Sequence, residues 1–82
     1  MITRDEFDTL PPVEKAHTIF EFGEEMAQRT FGEFRIKLYN VWDFYVELWY
    51  STKRVQISKL ESLSTEDVME FYGDEIDISD VF

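Results

Sequence analysis

Cysteine is absent from this chain, which removes disulfides, thiolate metal sites and thiol nucleophiles from consideration. Glycine occurs three times and proline twice. Gly23, Gly32 and Gly73 are too widely spaced to form a phosphate-cradling loop, and no serine carries the flanking glycines of a nucleophile elbow. The single histidine gives little material for acid–base or metal chemistry. No stretch approaches the roughly 18 apolar residues of a bilayer-spanning helix. The start, MITRDEFDTL, has acids where a signal peptide has a basic region and an apolar run. A cytoplasmic protein with no membrane partner is the expectation.

Basic residues are also scarce, at eight against 18 acids for a net charge of −10. Residues 1–32 carry three basic and seven acidic groups, 33–60 carry five and three, and 61–82 carry none and eight. The segments thus have net charges of −4, +2 and −8. Such a surface repels nucleic acid, whose affinity for proteins comes largely from neutralised phosphates, so direct nucleic-acid binding is not expected.

A hydrophobic fraction of 44% with 17% aromatic residues is too rich for a disordered chain. Eighty-two residues make one domain with one modest core. A pocket of roughly 300 Å³ or more would take a large share of that interior, so no cofactor or small-molecule ligand is expected and a deep active site is disfavoured.

Thr3 and Glu6 have capping-box spacing for a short turn ended by Pro11 and Pro12. Pro12 suits the first turn of a helix. Val13, Ala16, Ile19, Phe20, Gly23, Met26, Ala27 and Thr30 then recur at three- and four-residue steps, predicting a long helix over 12–30, with Phe22 off its stripe and Gly32 as its stop. From Phe34 the period changes to two. Phe34, Ile36 and Leu38, then Phe44, Val46, Leu48 and Tyr50, then Val55 and Ile57, read as the inward positions of three antiparallel strands. Pairing Leu38 with Phe44 and Ile36 with Val46 keeps the apolar set together and sets Arg35 opposite Glu47. Pairing Tyr50 with Val55 sets Tyr45 opposite Leu60 and Trp49 opposite Gln56. Ser64 and Asp67 start a last short helix that Gly73 ends. The predicted fold is α+β, of order α-β-β-β-α, with a three-stranded meander packed on one long N-terminal helix.

The stretch from LPPVEKA at residues 10–16 to FYVELWY at 44–50 resembles a family of small bacterial proteins of unknown function, in which an amphipathic helix leads into aromatic-rich strands. The resemblance rests on packing patterns and implies no activity and no ligand residues.

Few constellations suggest chemistry. Glu14-x-x-His17 has the spacing of a two-ligand helix motif, but a carboxylate di-iron site needs two copies, so His17 reads as a partner of Glu14 or Glu21 and no metal is assigned. Asp74, Glu75, Asp77 and Asp80 do not fit a calcium loop; they form an acidic surface. They also permit an alternative function, in which arrayed carboxylates mimic nucleic acid and inhibit a basic nucleic-acid-binding protein. On the outward side of the predicted sheet, Tyr39, Tyr45, Trp49 and Leu60 fall among the cations Arg35 and Lys37, the composition of a protein-binding surface. The chain therefore reads as a non-catalytic interaction or assembly module that binds a protein partner or itself. A small metal-binding enzyme is the weakest of the three readings.

Overall fold

The computed structural model describes residues 2–73. It is an α+β fold in which two short helices precede a four-stranded antiparallel meander and a third follows it. The helices are α1 (Arg4–Asp8), α2 (Pro12–Phe22) and α3 (Thr65–Tyr72), and the strands are β1 (Glu24–Phe31), β2 (Phe34–Val41), β3 (Phe44–Ser51) and β4 (Gln56–Leu63), in spatial order β1-β2-β3-β4. No helix among the described residues is long and apolar enough to cross a membrane.

The helix ends follow local chemistry. Thr3 and Glu6 form a reciprocal capping box at α1, and Ser64 and Asp67 do the same at α3. Pro12 opens α2, as its missing N–H allows.

Residues 24–31 form a strand, whereas their spacing predicts the second half of a long helix. Gly23 closes α2 in an extended conformation, and its backbone N–H donates to the Ile19 carbonyl. β1 then carries a bulge between Glu25 and Ala27. The extra residue puts consecutive Met26 and Ala27 against the same core cluster. That doubled step breaks the two-residue alternation and imitates helical spacing.

The hairpin registers also differ from expectation. Both β1–β2 and β2–β3 turn in two residues, Gly32-Glu33 and Trp42-Asp43, so Val41 faces Phe44 and Leu38 faces Glu47. Gly32 and Trp42 open those turns at φ 57° and 54°. The predicted pairing of Leu38 with Phe44 is offset from this register by three residues, and an odd offset exchanges the faces of one strand relative to the other. Tyr50 pairs with Ile57, Trp49 with Lys59 and Tyr45 with Leu63, with a second bulge between Trp49 and Tyr50. Val55, expected opposite Tyr50, lies in the β3–β4 loop and is 70% exposed.

The expected inward set consequently divides between two covered faces. On one, α3 places Val68 and Tyr72 on Leu38, Tyr45 and Leu63. On the other, α1 and α2 place Phe7 and Ile19 on Val41, Phe44 and Val46. A single predicted core is thus two half-cores back to back, and β3 is the strand buried from both sides.

Two outcomes check this arrangement. Val46 has no exposed surface, and an unpaired carboxylate there costs several kcal/mol against a total of about 5–15, so Val46→Asp is expected to abolish the cooperative thermal melt. Val55 holds φ at 54°, a conformation costing a β-branched residue roughly 1–2 kcal/mol, so Val55→Asn should raise Tm by roughly 4 °C.

Candidate functional site

Two features outside the apolar cores combine charge with aromatic surface, one on each face of the sheet. The first lies under α3. Glu47, in the middle of β3, is only 2% exposed, so its carboxylate needs partners for both oxygens. Arg29 of β1 donates to Oε2 from Nε at 3.3 Å and from Nη2 at 3.1 Å. The Tyr72 hydroxyl donates to the same oxygen, and Trp49 Nε1 donates to Oε1 at 3.3 Å. Arg29 Nε also donates to the Tyr72 oxygen at 3.0 Å. Among the described residues no buried side-chain nitrogen or oxygen lacks a partner.

The rings around Arg29 complete its enclosure. Its guanidinium carbon lies 5.4 Å from the Trp49 ring centre, 5.5 Å from Phe71 and 5.6 Å from Tyr72. Phe31 and Phe34 meet Trp49 edge-on, and the Lys59 ammonium lies 4.1 Å over the same indole. Burial first, then its hydrogen bond to the Glu47 carboxylate, push the Tyr72 hydroxyl well above the ordinary tyrosine value, against the pull of Arg29. Burial also works against the Arg29 charge, but the Tyr72 hydrogen bond and Glu47 hold its pKa above the usual arginine value. The cluster ties β1, β3 and α3 together, and all of Glu47's capacity goes to that task.

The second feature is a groove on the opposite face. An α-helix is about 10 Å wide with its side chains, while four strands spaced about 4.8 Å apart span roughly 19 Å, so α2 alone cannot roof its side of the sheet. Of α2, only Ile19 is fully buried. Val13, Ala16 and Phe20 share an adjoining side of the helix, with Val13 81% and Phe20 66% exposed. Between that side and β4 runs a groove of about 470 Å³ lined by Val13, Lys15, Ala16, Ile57 and Leu60 among others. A second hollow of about 350 Å³, sharing Ile57, is lined by Phe20, Arg35, Lys37, Leu48 and Tyr50.

The expected outer patch is divided by the sheet. Tyr45 is buried in the α3-side core, and Trp49 is half-buried beside Glu47. Tyr39, opposite Val46, packs on the α2-side core with Leu60. Burial raises the Tyr39 hydroxyl pKa, opposed by Lys37 and helped by Glu25. Arg35, Lys37 and Leu60 all line the groove region, whereas Tyr45 and Trp49 do not. Arg35, expected opposite Glu47, faces Tyr50; the cation on Glu47 is Arg29. Val13, Phe20, Tyr50 and Ile57 are groove residues whose spacing reads as core, whereas Leu48, also read as core, is buried and forms the groove floor. Phe22, off the helical stripe one residue before Gly23, was the local sign that the helix stops there.

His17 lies on the exposed side of α2 with Nε2 3.2 Å from Glu21. No group of three potential metal ligands occurs among the described residues. The acidic positions Asp74, Glu75, Asp77 and Asp80 lie outside the described residues.

Removing Arg29 or Tyr72, the two partners of Glu47 Oε2, tests the cluster. Arg29→Ala leaves a buried charge without its counterion and is expected to destabilise by about 3–5 kcal/mol, whereas Tyr72→Phe removes one donor and should cost about 1–3 kcal/mol. The raised Tyr72 pKa also gives a pH signature. Below the unfolded tyrosine value of about 10 both states keep the proton, so the stabilisation is complete; above it the unfolded chain releases the proton first and stability falls as pH rises toward the folded value. Urea midpoints compared at pH 9 and about pH 11 should fall less for Tyr72→Phe than for wild type.

No family model, no curated protein and no solved structure matches the chain.

Proposed function

We propose that this protein is an interaction module that docks a partner protein in the groove between α2 and β4. The observation that carries this reading is the apolar side of α2, on which Val13 and Phe20 stand largely exposed over Ile57, Leu48 and Tyr50, where a helix of this composition normally covers its own sheet. Large aromatic and aliphatic side chains beside a few cations form the usual anchor set of a protein interface. By contrast, the Glu47 cluster is closed by its own hydrogen bonds and supports the groove by fixing β3 from behind.

A photo-crosslinking residue at position 20 is expected to give a discrete protein adduct that Ile57→Asp abolishes, while the same residue at exposed position 66 of α3 gives none. Phe20→Ser should leave the unfolding free energy within about 0.5 kcal/mol of wild type, because the ring is already largely in solvent. Identical adducts from positions 20 and 66 would overturn the assignment. An adduct joining two copies of this chain would identify the partner as self.

A further inference from the structure

We infer that the occupant of this groove is an acidic peptide segment, with apolar side chains between its carboxylates, supplied by the partner protein; this rests on the docking role proposed for the groove. Charge along the groove is of one sign. Lys15 lines the first hollow and Arg35 and Lys37 line the second, with apolar Ile57 common to both. No carboxylate lines either hollow. Of the nearby acids, Glu21 lies beside His17 and Glu33 accepts from Ser51 at 2.6 Å, while Glu25 lies 3.3 Å from Lys37 and shares that cation with the groove. Among the described residues Lys15 and Arg35 form no salt bridge, although the Lys15 ammonium lies 5.7 Å from the Phe7 ring centre. The Lys59 ammonium is spent on the other face, over Trp49 and 3.3 Å from Glu61.

Cations at two separate ends of an apolar strip fit an elongated ligand rather than a compact anion. Such a ligand needs negative groups spaced apart with apolar groups between, which a peptide supplies and a phosphate does not. The overall charge of −10 does not forbid it. At physiological salt the Debye length is about 8 Å, so a ligand seated in the groove responds to Lys15 and Arg35, to Lys37 together with its Glu25 partner, and little to distant acids. A basic ligand would meet no unpaired acid among the groove's lining residues.

The chain's own sequence from 74 to 82, Asp-Glu-Ile-Asp-Ile-Ser-Asp-Val-Phe, has the required composition and serves as a synthetic probe. This nonapeptide would be titrated into the isotope-labelled full-length protein beside an analogue with Asn and Gln in place of its acids, and the amide shifts followed. The expected result is saturable shifts at Phe20, Leu48, Tyr50 and Ile57 but not at Val68, with about tenfold weaker binding of the neutral analogue and about tenfold loss for Arg35→Gln combined with Lys37→Gln. Equal affinity for the two peptides at those same residues would overturn the acidic class while leaving the docking role standing. Shifts confined to the α3 side, or none with the acidic peptide, would overturn the inference outright. If the groove fails as a docking surface altogether, the position-20 crosslink fails with it, which separates the two outcomes.

Discussion

Three short helices must cover both faces of a four-stranded sheet, and most of the structure follows from how they fall short. Strands of eight residues extend about 26 Å, whereas α2 with 11 residues runs about 16 Å and α3 with eight about 12 Å. Each face is therefore sealed only where a helix crosses it. The sealed parts are the two half-cores, and β3 passes through both of them. The unsealed parts are where charge and aromatic surface collect: around Arg29 on one face and along the groove on the other.

The two unsealed regions are handled differently because a carboxylate lies in one of them. Glu47 on the α3 side cannot remain buried without a counterion, and Arg29 reaches it from two strands away with rings of Trp49, Phe71 and Tyr72 around the pair. Replacing such an ion pair with apolar residues is often neutral for stability, so the cluster is better understood as a device that fixes position. It admits only one placement of α3, because the Tyr72 hydroxyl has to meet Oε2. It also favours one register of β1 on β2, because Arg29 has to stand on the same face as Glu47. On the other face the polar lock holds α1 and not α2: Arg4 Nε donates to Ser62 Oγ at 2.9 Å, and that hydroxyl donates to Asp8 Oδ1 at 2.6 Å. The α2 helix is held by Ile19 and by the loop through Gly23, and its remaining apolar side is left free.

Much of the order of elements is legible in the sequence because the signals are local. Capping boxes at Thr3 and Ser64, proline at the start of α2, and alternation in residues 34–50 each need no knowledge of distant contacts. What stays hidden is non-local. The Met26–Ala27 bulge makes a strand look like continuing helix, and only its pairing with β2 reveals it. Register is hidden for a related reason: a hydrophobic pattern selects a register when one face is wet, but in β3 Phe44 to Leu48 are all buried, so either offset keeps apolar atoms covered. The charge argument for Arg35 opposite Glu47 failed with it, since a basic residue on an unrecognised strand was the true partner.

That register decides the candidate site as well as the core. An odd offset moves Arg35 and Lys37 from the side of Tyr45 and Trp49 to the side of Leu48 and Tyr50. In the first arrangement they would surround an aromatic patch already crowded with Arg29 and Lys59. In the second they stand at one end of an apolar groove whose other end holds Lys15. Two of the five cations in residues 33–60, Arg35 and Lys37, thereby stand beside the exposed side of α2. The register set by the two-residue turns thus gives the sheet's open face a charge opposite to that of the chain as a whole.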